Sequence, residues 1–300
     1  MAKQLVECVP NFSNGREPEV LQKILAPFFA EEDVKVLDYS QDSDHNRAVV
    51  TLVGTPEALE KSVVEAVGIA AELIDLNKHE GAHPRMGATD VIPFVPIRNI
   101  DVAECIELSK RVGEKIAEQH KIPVYLYEDS ASTPDRKNLS KIRKGQFEGF
   151  AEKIKEEEWK PDFGEAEIHP TAGVVAVGAR EYLVAYNINL DTENLEIADA
   201  IAKRIRHIGG GFRYVKGMGV ELKERKQVQV SMNLTNFRKS HIYQVFETVK
   251  MEAARYGVNV VGSEIIGLVP LAALVDTVEY YLRVEDFSIN QVVEARLLGE

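Results

Sequence analysis

The 300 residues are 45% hydrophobic, enough for a substantial core and more chain than one typical domain needs. The formal net charge of −12 argues against general nucleic-acid or membrane-surface binding and leaves room only for a local basic pocket. Cys8 and Cys105 are too few for a disulfide scaffold or a cysteine-rich metal site. The start, MAKQLVECVP, lacks the apolar region of a signal peptide, and the longest uncharged apolar run, Ile265 to Val275, contains Pro270 and is too short to span a bilayer. A soluble, cytoplasmic protein is expected.

In chain order, Gln4 to Val9 reads as a strand that ends in the turn residues Pro10, Asn11, Ser13, Asn14 and Gly15. Pro18 to Phe29 carries Leu21, Leu25 and Phe28 on one helical stripe. Val34 to Tyr39 and Ala48 to Val53 are strands separated by the polar SQDSDHNR. Thr55-Pro56-Glu57 supplies a cap, a proline for the first turn and an acid near the positive end of the dipole. Leu59, Val63, Val67, Ala70 and Ile74 continue that helix. The loop HEGAHPRMGATD, His79 to Asp90, then delivers a fourth strand, Val91 to Ile97. Asp101 to Gln119 is a further helix, with Asp101 as cap and Glu104 three positions on. Pro123 to Tyr127 is a short strand. The stretch Asp135 to Lys160 is mostly helical, its charges read as a solvated face, and PDFGEAEIHPTAG is a proline- and glycine-rich crossover.

The same order then repeats. Glu181 to Leu190 is a strand ending near Asn187 and Asn189, and Thr192 to Arg206 is a helix with Ile197, Ile201 and Ile205 on one side. Two strands follow, the second with Val228, Val230, Met232 and Leu234 alternating with polar residues. A helix marked by Ile242, Val245, Phe246 and Val249 and a closing strand, Val258 to Leu268, complete it. The expectation is an α+β protein of two ferredoxin-like β-α-β-β-α-β sandwiches, residues 1–178 and 179–300. Each would carry its helices on one face of a mainly antiparallel sheet, with a groove between the halves. Asn11, Arg47, His83, Arg85, Asn187 and Asn189 are placed at that groove, although each singly also reads as a turn or cap residue.

HEGAH matches the H-E-x-x-H zinc pattern, which needs a helix to put both histidines on one face. Pro84 pushes His83 out of the helical region, and Gly81 adds about 1 kcal/mol to the cost of any helix there. No third ligand follows at a familiar spacing, so no metal is expected. The alternative is a rigid loop presenting His83 and Arg85, with histidine suited to proton transfer near neutral pH; a loop histidine without chemistry stays open. The glycines at 209, 210, 211, 217 and 219 fit neither a dinucleotide fingerprint nor a P-loop, and with Arg213 and Lys216 read as a hairpin loop.

VECVPNFSNGR, DHNRAVVTLVG, HEGAHPRMGATDVIPFVPI, IPVYLYE, PDFG, VAYNINL and VVGSEIIGLVPL, in order across about residues 4 to 275, resemble the glutamate formiminotransferase family. The resemblance implies transfer of a formimino group from N-formiminoglutamate to N5 of tetrahydrofolate. It implies two similar subdomains with folate in a groove between them, and a homodimer. It also implies that His83 is the catalytic histidine. The crossover, Gly164, Glu165, Ala166, Glu167, Ile168, His169, Pro170, Thr171, Ala172 and Gly173, would line the folate site. The chain stops where bifunctional relatives continue into a helical cyclodeaminase, so that activity is not expected. Ser40 stands where some relatives carry an acid, two residues after Asp38. With Asp42 and Asp44 nearby, the acid that supports His83 stays open.

The chemistry agrees with the residues. Moving a one-carbon unit between nitrogens requires taking a proton from the attacking amine and giving one to the departing nitrogen. One histidine can do both, for roughly 10²–10⁴ in rate. Both substrates carry carboxylates, for which Arg47 and Arg85 are the candidate bidentate partners. A formyl donor, salvage of 5-formyltetrahydrofolate, and a folate-binding module without turnover remain alternatives. The pairing of His83 with Arg85 favours an enzyme.

Overall fold

The computed structural model describes residues 3–298. The chain divides into two compact units, Met1–Glu181 and Tyr182–Glu300.

In the first unit, β1 (Leu5–Cys8) and β2 (Asn11–Phe12) are one strand interrupted at Val9-Pro10. α1 (Pro18–Ala30), β3 (Val34–Asp42), β4 (Arg47–Gly54), α2 (Pro56–Leu73) and β5 (Thr89–Arg98) complete the expected ferredoxin-like set, with antiparallel neighbours β3–β4–β1/β2–β5. α3 (Val102–His120) starts with the anticipated reciprocal cap: Glu104 N donates to Asp101 Oδ1 at 2.9 Å and Asp101 N to Glu104 Oε2 at 3.0 Å. Thr55 holds the N-cap position of α2 but makes no side-chain cap bond, so Pro56 and the first-turn acid Glu57 mark that start.

The sheet then departs from expectation. β6 (Val124–Glu128) is not adjacent to β5. Between them lies β7 (Val175–Ala179), parallel to both, so the sheet is mixed. VAVGA escaped the sequence reading because it is short and buried on both faces, and such strands show no alternation. Nor are the helices on one face only. α1, α2 and α3 cover Leu52, Ile92, Phe94, Val124, Val175 and Val177. Alternate residues Val91, Tyr125, Tyr127, Val174 and Ala176 point the other way, against α4 (Leu139–Ile142) and α5 (Gln146–Lys153). The stretch 135–160 keeps most of its charges exposed, as expected, but it also has a buried side that the charge run conceals. Ile142, Phe147, Phe150 and Ile154 are buried, and Arg136 is buried in an ion pair with Asp162 at 2.6 Å. Four apolar positions among many charges were too sparse to read as a stripe.

The second unit is the expected antiparallel sandwich. β8 (Val184–Leu190), α6 (Leu195–Ile205), β9 (Val215–Leu222), β10 (Gln227–Leu234), α7 (Ile242–Ala254) and β11 (Val260–Ile266) give the sheet order β11–β8–β10–β9. Val184, Tyr186, Ile188 and Leu190 enter its core together with Val228, Val230, Met232 and Leu234. Two further helices follow, α8 (Leu271–Leu282) and α9 (Val293–Leu298). Among the described residues, no helix is long and apolar enough to cross a membrane.

Candidate active site

The segment from Ile74 to Ala88 is irregular, so the zinc-type pattern lacks the helix it needs. Both ring nitrogens of His79 are engaged: Nε2 donates to Asn46 O at 2.8 Å, and Nδ1 accepts from Arg85 Nε at 3.1 Å. This assigns a neutral tautomer. Burial, partly opposed by the Asn46 carbonyl and reinforced by the Arg85 charge, holds the His79 pKa below the ordinary histidine value. His79 is a strut of the loop. Among the described residues there is no group of three or more His, Cys, Asp or Glu that could hold a metal.

The loop is tied to the end of the crossover. Leu76 N donates to Thr171 O at 2.9 Å, Ala88 N to Ala172 O at 2.9 Å, and Val174 N to Met86 O at 3.0 Å. Gly87 and Gly173 face one another in an isolated bridge. A Cβ on Gly87 would stand 2.0 Å from Val174 O, and one on Gly173 2.2 Å from Met86 O, with Gly173 at φ +68°. Only glycine lets the two backbones approach this closely. That gives the glycine of HPRMG its physical reason.

His83 is 7% exposed, and its Nε2 lies 3.6 Å from Asp90 Oδ2, an electrostatic contact just beyond hydrogen-bond length. Asp90 is 1% exposed; its Oδ1 accepts from Met86 N at 2.8 Å and its Oδ2 from Arg143 Nη2 at 2.5 Å. Burial alone would raise the Asp90 pKa, but the Arg143 charge, His83 and the Met86 amide outweigh it, and the carboxyl stays ionised. Burial lowers the His83 pKa. Asp90 opposes that shift, and the Arg47 and Arg143 cations add to it. His83 is thus a neutral imidazole beside a fixed carboxylate, the arrangement of a general base. His83 Nε2, Thr89 Oγ1, Arg47 Nε and Arg143 Nε are all buried without a hydrogen-bond partner. Three of them, on His83, Arg47 and Arg143, belong to residues that interact electrostatically with the Asp90 carboxylate, which marks a place built to receive polar groups.

The other anticipated residues divide. Arg47, at the start of β4, is half-buried; Ala48, Val50 and Leu52 enter the main core, so alternation puts Arg47 on the opposite face. Burial, followed by Arg143, lowers its pKa against the pull of Asp42 and Asp90. Asn11, on β2 opposite Val49 and Val91, donates to Val9 O at 3.0 Å. Arg85 is not free for a substrate. Its N–H groups reach His79 Nδ1, His79 O, Gln146 Oε1 at 3.3 Å, and both carboxylate oxygens of Glu148 at 2.9 and 2.7 Å. Those five bonds use all five donors.

In the crossover, Gly164, Glu165, Ala166, Glu167 and Pro170 are exposed, Ile168, His169 and Thr171 half-buried, and Ala172 and Gly173 buried. His169 Nδ1 accepts from Ala172 N at 3.0 Å. In the second unit, Asn187 and Asn189 lie buried on the sheet face away from its helices, and Gln229 Nε2 donates to Asn189 Oδ1 at 2.9 Å and to Glu264 Oε1 at 2.5 Å.

Asp90 and Arg143 were missed. Asp42 is engaged with His45 at 2.8 Å, and the acid beside His83 is Asp90, which closes the same loop. Arg143 was hidden inside the charge run.

A family model described as the formiminotransferase domain, N-terminal subdomain, matches residues 5–180, and one described as the formiminotransferase domain matches residues 185–298. The chain is 56% identical over 300 residues to glutamate formimidoyltransferase of Streptococcus pyogenes serotype M1, covering 100% of each. It is 45% identical over 295 residues to the protein of the same name from Thermoplasma acidophilum, covering 98% of this chain and 97% of that one. To formimidoyltransferase-cyclodeaminase of Mus musculus it is 42% identical over 284 residues, covering 93% of this chain and 52% of the relative. With both halves matched and these identities sustained along its length, the chain belongs to the formiminotransferase family.

Proposed function

We propose that this chain is a glutamate formimidoyltransferase, moving the formimino group of N-formimino-L-glutamate to N5 of tetrahydrofolate, with His83 as the proton-transfer group. The observation that carries the reading is the buried neutral His83 beside ionised Asp90, with the orphaned Nε atoms of Arg47 and Arg143 in the same electrostatic cluster. As N5 attacks the formimino carbon, a new C–N bond forms and His83 takes the N5 proton. Asp90 favours the resulting imidazolium electrostatically. The bond from that carbon to the glutamate nitrogen then breaks, and His83 returns the proton to the departing amine. Arg47 is the cation open to a substrate carboxylate, while Arg143 holds Asp90 ionised.

The resemblance supports a folate contact at Gly164–Gly173, anchored to the His83 loop through residues 171–174. Asn11 on the first sheet and Asn187 and Asn189 on the second are further substrate-binding candidates. A cytoplasmic homodimer belongs to the same reading, and light scattering on the purified protein tests its stoichiometry. The deciding experiment is turnover with tetrahydrofolate, offering formimino- and formylglutamate in parallel. Formimino transfer is the expected outcome. Preference for the formyl donor would reassign the substrate, and tight folate binding without turnover would make the protein a binding module.

A further inference from the structure

The segment 139–153 reaches the His83 loop twice. Arg143, which ends α4, donates to Asp90. Gln146 and Glu148, at the start of α5, hold Arg85, whose carbonyl also accepts from Phe147 N at 3.0 Å. α4 is a single turn of four residues, too short to persist unaided. One side chain closes this turn. Lys153, the last residue of α5, donates to Lys141 O at 2.8 Å, Ile142 O at 2.6 Å and Lys144 O at 3.1 Å. An ammonium has three N–H donors, and here all three are spent on carbonyls that bracket Arg143. A cation at this place also meets the negative end of the helix. The ammonium also lies 3.9 Å from the Trp159 ring centroid and 5.0 Å from that of Phe150, two cation–π contacts that help to hold it in place.

We infer that Lys153 is a positioning residue for the transfer reaction: it pins the turn that carries Arg143, and through Arg143 it sets Asp90 against His83. The inference rests on the reading of His83 as the proton-transfer group. Lys153 itself touches none of the reacting groups. Burial is the largest influence on its amine and lowers the pKa to about 8, with Glu156 favouring the charged form and Lys144 disfavouring it. Two of the capped carbonyls, those of Lys141 and Lys144, lie at exposed positions where water can replace the ammonium, and methionine keeps the apolar stem, so the fold should survive the loss of the cap while the turn loosens. The sign for activity follows. The three-carbonyl cap is complete while Lys153 is charged, and above about pH 8 the neutral amine has lost one donor and its charge. The rate should therefore fall on the alkaline side for a reason that does not lie in His83.

The test compares the parent with K153M, K153R, R143Q and the R143Q/K153M double variant. K153M should lower kcat by roughly ten- to a hundredfold with both KM values nearly unchanged, because a misplaced catalytic group costs rate and not binding. K153R should keep most of the rate and move the alkaline limb up by about one pH unit or more, since guanidinium stays charged. In the double variant K153M should add little to the loss from R143Q, as coupled residues do. Independently of turnover, the His83 ring followed by NMR should titrate at higher pH in both K153M and R143Q, because Asp90 released from Arg143 pairs more closely with the imidazole. Parental kcat in K153M, a full multiplicative loss in the double variant, or an unmoved His83 titration would overturn the inference. If K153M does not fold, the alkaline limb of K153R decides: an unmoved limb overturns it. A parent that turns over nothing but shows the His83 shift would defeat the proposed function and leave the linkage standing.

Discussion

His83 is set by its surroundings as a base and not as a permanent cation. Burial and the two arginines hold its pKa below the ordinary histidine value, and Asp90 limits how far it falls. Replacing it, His83→Ala, should lower kcat by about 10²–10⁴ while folate still binds in calorimetry. His79→Ala should cost far less rate, because His79 spends both nitrogens on Asn46 and Arg85. Equal small losses from the two would defeat the assignment. The pH dependence has a definite sign. A base works only when neutral, so activity should fall as pH drops through the His83 pKa, at lower pH than an ordinary histidine would give. Asp90→Asn removes the group that raises the His83 pKa and strands Arg143. The acid limb should then move to still lower pH while kcat falls, and a limb that moves upward in a pH–rate profile would contradict the pairing.

At the scale of elements, the His79–Asp90 loop is held by backbone and not by a helix. Gly87 and Gly173 lie against the strand ends of the crossover, and neither leaves space for a side chain. Gly173→Ala combines a 2.2 Å clash with a φ of +68°, and such a backbone conformation costs roughly 1–3 kcal/mol by itself. Denaturant unfolding should register at least that loss, with a matching drop in kcat because the same contact fixes Met86, whose amide holds Asp90. Unchanged stability would show that the two backbones separate without cost. The α4–α5 segment holds the same loop by side chains, through Arg143 and Glu148, and packs Phe150 against Tyr125, the rings meeting edge to face at 5.4 Å.

For the whole molecule, the proposed reaction asks an acidic chain to hold acidic substrates; among the described residues Arg85 and Arg143 are paired with carboxylates, while Arg47, whose charge reaches His83, keeps a buried Nε without a partner. Folate binding should stabilise the protein by about 2.7 kcal/mol at a hundredfold excess over Kd. Met1–Glu181 is compact by itself and should fold as a fragment, whereas a cut at residue 178 removes Ala179, which pairs with both Phe94 and Glu128. If Asn187 and Asn189 of the second unit bind folate, the 1–181 fragment should bind it weakly. Full affinity of that fragment in calorimetry would remove those two residues from the site.

Local signals were enough for much of this protein. Proline, capping pairs and strict alternation act over a few residues, so the β-α-β-β-α-β order of both halves, the capping box of α3 and the cleanest strand, β10, were legible along the chain. So was the irregular course of the His79–Asp90 loop, because Pro84 excludes a helix through His83. Tertiary structure decided the rest. β7 is buried on both faces and shows no period until β5 and β6 flank it. Arg85 and Arg143 are both arginines in polar stretches, and only their partners, Glu148 and Asp90, determine which grips the loop and which tunes the acid. A guanidinium's role depends on which carboxylate the fold brings within 3 Å, and contacts between residues more than 50 positions apart leave no period or spacing to read.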